Sequence, residues 1–215
     1  MRIVLLGAPG AGKGTQCMRI VDKYNLLHLS SGDILRQERA DNTELGKKAQ
    51  SYMDSGALVP DELIVKMMAG AISNAPEGGF VLDGFPRTVN QASALDKALE
   101  AAGQKIDVVL NLVIDDQIVV DRITGRRSCP VCGGVYHAVN MKPKEDGLCD
   151  KGCGQLIQRP DDTEEVVGNR LANYHSQTEP VVGYYKDSIG VCDFDAAGAV
   201  DDISGFVFKK LDSLS

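Results

Sequence analysis

The run Gly7-Ala8-Pro9-Gly10-Ala11-Gly12-Lys13-Gly14-Thr15 follows a short strand-like stretch, Arg2 to Leu6, and opens into a helical pattern, Gly12 to Tyr24. It fits G-x-x-x-x-G-K, with Gly14 where a Ser or Thr usually stands and Thr15 one place later. Glycines let the backbone wrap closely around a chain of phosphates. Successive N–H groups then point inward, and the following helix adds its positive end. Lys13 supplies a full charge toward the β and γ phosphates. The cradle does not depend on the hydroxyl that Gly14 lacks. A strand–loop–helix of this kind belongs in a parallel sheet covered by helices.

The rest of the chain agrees. Val81-Leu82, Val108 to Ile114 and Val191 to Phe194 are further apolar runs. Between them lie helical stretches: Glu44 to Ser55, Asp61 to Ala75, Asn90 to Ala102, Asp116 to Thr124, Glu164 to Tyr174 and Asp201 to Leu214. Such alternation predicts an α/β fold, with ligands at the carboxyl ends of the strands. Two stretches break it. Residues 30–59 read as helical segments with no strand between them. Residues 125–162 are rich in Gly, Cys and Pro and contain a hairpin-like piece, Val135-Tyr136-His137. Both read as insertions into the core, and loops of that length are usually functional.

At 215 residues the chain suits one core with small satellites. Its net charge of −7 argues against a nucleic-acid surface. A zinc-ribbon nucleic-acid module would need a basic stripe with aromatics. The cysteine-rich insert instead mixes Lys142 and Lys144 with Glu145, Asp146 and Asp150, and the chain has no Trp. No stretch approaches the roughly 20 apolar residues of a membrane span, and the N-terminal run is too short for a signal peptide. A cytoplasmic protein is expected, in which six cysteines suggest metal binding or burial before disulfides.

Three more blocks narrow the reading. They are Leu82-Asp83-Gly84-Phe85-Pro86-Arg87, Asp121-Arg122-Ile123-Thr124-Gly125-Arg126-Arg127, and Arg159-Pro160-Asp161-Asp162 with Arg170 on the next helix. With Gly10 to Thr15 they closely resemble the bacterial adenylate kinases of the long-lid type, over nearly the whole chain. The resemblance implies a P-loop nucleotide kinase: a parallel-sheet core (1–29, 60–124 and 163–215), an AMP-binding domain (30–59) and a lid (125–162), the last two mobile. It implies transfer of a phosphoryl group between ATP and AMP to give two ADP, with Mg²⁺, by a monomer that binds no nucleic acid and no membrane. A UMP- or CMP-type nucleoside monophosphate kinase is the alternative.

The implied roles follow residue by residue. Gly10, Ala11, Gly12, Lys13, Gly14 and Thr15 would bind ATP phosphates. Arg122 and Arg126 would sit on the ATP side, with Val135 and Tyr136 near its base or ribose, and Gly198 at the base by its backbone. Ser31 and Arg36 would hold the ribose-phosphate side of AMP, and Ala57, Leu58 and Val59 its adenine. Gly84, Phe85, Pro86 and Arg87 would contact AMP, Arg87 at its phosphate, and Gln91 would read its base edge. Arg159 and Arg170 would bridge the two phosphate chains, and Asp83 would orient Mg²⁺ through water. Lys13, Arg87, Arg126, Arg159 and Arg170 would be the catalytic cations. The acceptor is an ionised phosphate oxygen, so no general base is needed. Accordingly His28, His137 and His175 are read as surface or hydrogen-bonded histidines. Alignment and charge neutralisation in a dry site are what the chemistry demands.

Cys129-Pro130-Val131-Cys132 and Cys149-Asp150-Lys151-Gly152-Cys153 form C-x₂-C and C-x₃-C pairs sixteen residues apart. Two such knuckles suit a tetrahedral structural zinc. Zinc-bearing adenylate kinases carry a similar lid pattern, commonly with a second C-x₂-C. The expected ligands are Cys129, Cys132, Cys149 and Cys153, with Asp150 the alternative to Cys153. Cys17 and Cys192 read as small core or surface residues.

Overall fold

The computed structural model describes residues 1–75 and 78–214. Its centre is β1 (Arg2–Gly7), with Ile3 to Leu6 buried. Their side chains alternate between two cores. Val4 and Leu6 join one apolar cluster, Ile3 and Leu5 another. That is the period of two expected of a strand covered on both faces, and it explains the unbroken apolar run. Fully burying each such side chain is worth about 1.5–3 kcal/mol.

Helix α1 (Lys13–Tyr24) follows, then β2 (Leu27–Ser30), α2 (Ser31–Ala40), α3 (Glu44–Ser55), α4 (Asp61–Ser73), β3 (Phe80–Asp83), α5 (Val89–Ala101), β4 (Val108–Val113) and α6 (Asp116–Thr124). Two short strands come next, β5 (Arg126–Ser128) and β6 (Val135–His137). The chain closes with α7 (Glu164–Asn173), a π-helical turn (Tyr174–Thr178), α8 (Glu179–Ser188), β7 (Val191–Asp195) and α9 (Val200–Asp212). The main sheet has the order β2-β3-β1-β4-β7, and its strand pairings are parallel. From β1 the chain first builds out through β2 and β3 on one side, then crosses to β4 on the other. The carboxyl end of β1 therefore stands at the crevice where such sheets bind ligands.

Side-chain caps set many helix starts. The hydroxyls of Ser30, Thr43, Thr88 and Thr163 and the carboxylate of Asp115 each accept a first-turn N–H. Helices α2 and α3 pack backbone to backbone at Gly46, where a Cβ would lie 2.2 Å from the Glu38 carbonyl oxygen. In 125–162, β5 and β6 pair antiparallel, and isolated bridges join Ser128 to Ile157 and Leu148 to Gln155.

The structure departs from the sequence expectations at two elements. Leu27–Ser30 is a strand, β2, at the sheet edge. Four residues with His28 and Ser30 between leucines give too short a pattern to stand out. Helix α8 is likewise hidden in the sequence, because Pro180 looks like a break. It sits in the first turn, where a missing N–H costs nothing.

Candidate active site

At the end of β1 the chain turns through Gly7, Gly10 and Gly12, all at positive φ. At Gly7 a Cβ would lie 2.6 Å from the Leu112 carbonyl oxygen, so only glycine fits between β1 and β4. Helix α1 begins at Lys13 with no side chain capping its N-terminus, which leaves its first N–H groups for a ligand. The Lys13 ammonium donates to the carbonyls of Gly7 and Ala8, both at 2.8 Å. Desolvation lowers it to about 8, against the pull of Asp83. Asp83 ends β3 beside this loop, its carboxylate 3.6 Å from where a Gly14 Cβ would stand.

Cations converge on the same crevice. Lys13 feels Arg87 and Arg126, Arg87 feels Arg170 and Arg36, and Arg159 feels Arg36 and Arg126. Arg87 keeps one side in solvent, yet desolvation within the crevice and this crowding hold it below its ordinary range, and they bring Arg159 down to about 10. Carboxylates balance the set. Arg36 pairs with Asp33, and Arg170 with Asp161 and Asp162. Arg126 sets a two-pronged fork on Asp162, its Nε at 2.9 Å. Asp162 is 1% exposed, so it is committed to these arginines. Sequence reasoning assigns no role to Asp33, Asp161 and Asp162. Two acids directly after Arg159-Pro160 were the available signal.

A pocket continuous with solvent opens beside the arginines. Ser31, Arg36, Ala57, Leu58, Val59, Gly84, Arg87, Gln91 and Arg170, all singled out from sequence, line it. Ser31 donates its hydroxyl to the Gly84 carbonyl at 2.6 Å, and Arg87 Nε donates to the same oxygen at 2.8 Å. Gln91 is 1% exposed. Its Oε1 accepts the Arg87 N–H at 2.7 Å, and its Nε2 donates to Asp61 at 2.7 Å. Asp61 also accepts from the Thr88 hydroxyl. Asp61 therefore fixes which way the amide faces. Sequence reasoning missed it, since an acid in a first helical turn looks like simple dipole matching.

Phe85 and Pro86 are also expected at AMP; both are buried, and neither lines this pocket, where Phe85 is the clearer case. It is 2% exposed and packs in the core, leaving its neighbours Gly84 and Arg87 at the pocket wall. Val135 and Tyr136 sit next to each other on β6, both half-buried. The Tyr136 hydroxyl lies 3.5 Å from Cys149 Sγ and accepts the Asp150 N–H at 2.9 Å. Arg122 and the Gly198 loop do come together, Arg122 donating to the Ala197 carbonyl at 3.2 Å.

The sulfurs of Cys129, Cys132, Cys149 and Cys153 lie within 4.8 Å of one another. The Tyr136 hydroxyl, with backbone and thiol donors, brings Cys149 down to about 6, while Cys132 and Cys149 push Cys153 up to about 12. Asp150 turns away and accepts the Lys144 N–H at 2.8 Å. This donor set fits a tetrahedral thiophilic ion. Cys17 is buried in the core, and Cys192 packs half-buried against the same cluster. Of the histidines, His137 uses Nδ1 to accept two backbone N–H groups, so its proton sits on Nε2, facing the Asp121 carbonyl. His175 bridges Asp116 and Glu179 on the surface.

A family profile described as adenylate kinase matches residues 5–189. An adenylate kinase of Caldicellulosiruptor bescii is 51% identical over 187 residues, covering 86% of this chain and 87% of the relative. One from Clostridioides difficile is 48% identical over 99% of each chain. One from Archaeoglobus fulgidus is 47% identical over all of this chain and 97% of the relative.

Proposed function

The chain belongs to the adenylate kinase family, and we propose that its ring of cations aligns two nucleotides so that their phosphates meet in line. It catalyses the reversible transfer of the terminal phosphoryl group of ATP to AMP, giving two ADP. Nothing in the site or among the relatives favours a pyrimidine monophosphate.

ATP phosphates occupy the loop from Gly10 to Thr15, with Lys13 leaving its two carbonyls to meet them. Arg122 and the Gly198 loop face the ATP base. AMP occupies the pocket between Ser31, Arg36, Ala57 to Val59, Gly84, Arg87 and Gln91. Arg126, Arg159 and Arg170 lie between the two phosphate chains. Asp33, Asp161 and Asp162 hold three of the guanidinium forks oriented before substrate arrives, and phosphate oxygens compete for the same forks. Transfer then needs alignment and charge neutralisation rather than a base. Mg²⁺, when bound with ATP, neutralises phosphate charge, and Asp83 holds its water shell. Residues 30–59 and 125–162 act as AMP domain and lid, closing to exclude water. The four cysteines hold a structural zinc, which replaces the apolar core that so small a lid lacks. The enzyme works as a cytoplasmic monomer.

The observation that carries this reading is the convergence of Lys13, Arg36, Arg87, Arg126, Arg159 and Arg170 on one crevice, between the glycine loop and the pocket that Ser31 and Gln91 line. Steady-state rates with AMP, UMP, CMP and GMP as acceptors test it. AMP should lead by at least about tenfold, while robust transfer to a pyrimidine monophosphate alone would overturn it.

A further inference from the structure

We propose that Cys17, His28 and Asp83 form a second metal site, separate from the lid cysteines, at which a thiophilic divalent cation such as zinc inhibits the enzyme. The three come from different elements. Cys17 lies one turn after Lys13 on α1, His28 on β2, and Asp83 at the end of β3. In the β2–β3 register His28 faces Val81, and Ser30 faces Asp83. Side chains two apart on a strand share a face, so His28 and Asp83 emerge on one side of the sheet. That is the side α1 covers, where Cys17 packs with Val81.

One ligand atom from each lies within 4.8 Å of the others. His28 Nε2 stands 3.5 Å from the Asp83 carboxylate. A tetrahedral ion bonded to N, O and S donors sets them roughly 3.4–3.6 Å apart, so the His–Asp edge already matches, and Cys17 Sγ lies within 4.8 Å of both. A second observation points the same way. His28 Nε2 is buried and has no hydrogen-bond partner among the described residues. A buried ring nitrogen that faces a carboxylate at 3.5 Å without hydrogen-bonding to it is costly, and a metal ion bonded to both satisfies them.

The donor set selects the ion. Lys13 faces Asp83 from the P-loop, and its charge opposes any second cation. Mg²⁺ prefers oxygen and water and gains nothing from a thiol and an imidazole. Zinc gains a sulfur bond: the Cys17 S–H breaks, its proton leaves to solvent, and Sγ binds the ion without change of oxidation state. Three protein ligands leave one position for water or a phosphate oxygen. Asp83 cannot serve this ion and orient the Mg²⁺ shell together, so occupancy stops phosphoryl transfer. That consequence rests on the kinase reading, whereas binding of the ion does not.

The test uses reduced, full-length protein carrying its lid zinc, titrated with further Zn²⁺ at fixed Mg²⁺, ATP and AMP. Bound zinc is counted after equilibrium dialysis. Wild type should hold one more equivalent than Cys17→Ala. The variant should keep its basal rate and need at least about tenfold more zinc for half-inhibition. His28→Gln should behave alike, which guards against a folding artefact at Cys17. Equal zinc content in wild type and both variants would overturn the site. A second equivalent lost in the variants, with inhibition unchanged, would leave the site standing and overturn its inhibitory role.

Discussion

Lys13 keeps its ammonium against two loop carbonyls, in surroundings dry enough to bring it to about 8. Phosphate anions must raise that value, because they favour the charged form. A group whose proton is held more tightly in the complex than in the free protein binds ligand best below its free value. ATP affinity should therefore hold below pH 8 and fall as pH rises through about 8, with proton uptake on binding. Calorimetry in buffers of different ionisation enthalpy would read that uptake, and a pH-independent affinity from 7 to about 9.5 would contradict it. Lys13→Met should lower kcat by about 10²–10³-fold while leaving the melting temperature close to wild type, as removing a preorganised transition-state charge does. Gln91 presents a different kind of dependence. Its amide is clamped between the Arg87 N–H and Asp61, so Gln91→Ala should cut kcat/KM for AMP and relax base choice, with ATP affinity nearly unchanged. Asp61→Asn should reproduce part of that loss through the freed amide, since Asn offers Gln91 only one acceptor. Unaltered base selectivity in both variants would remove Gln91 from recognition.

Among the elements, the hairpin β5–β6 and the loops around it carry the largest local prediction. Cys153→Ser should lose bound zinc and lower the melting temperature of residues 125–162, whereas Asp150→Ala should keep the zinc, because that carboxylate is spent on the Lys144 N–H. Metal analysis beside calorimetry checks this, and zinc lost from the Asp150 variant alone would reassign the fourth ligand. The Mg²⁺ requirement should stay unchanged in both. Elements were legible in the sequence where a period ran long enough. β1 announced itself by an unbroken apolar run, β4 by one interrupted only at Asn111, and α3 by its amphipathic pattern. β2 did not, being short and half polar at an edge, and α8 hid behind Pro180. The glycine loop and the arginine blocks were readable because backbone geometry and phosphate charge dictate those residue types. Asp33, Asp61 and Asp162 were not, because each acts through a partner far along the chain or around a turn, as Asp61 does with Gln91 thirty positions on.

For the molecule as a whole, the end of α3 packs against α7 beside the crevice. Asn169 and Asn173 of α7 donate to the carbonyls of Ser55 and Gly56 at the end of α3. At Gly56, with φ of 73°, a Cβ would lie 2.8 Å from the Val166 carbonyl oxygen. Residues 30–59, which we propose as the AMP domain, thus rest directly on the helix that carries Arg170. The direct test follows adenine nucleotides and inorganic phosphate by ³¹P NMR, with ATP and Mg²⁺, before and after adding AMP. The account predicts no appreciable change until AMP arrives, then two ADP for each ATP consumed without free phosphate. Release of phosphate from ATP alone at a comparable rate, or no ADP once AMP is present, would contradict it.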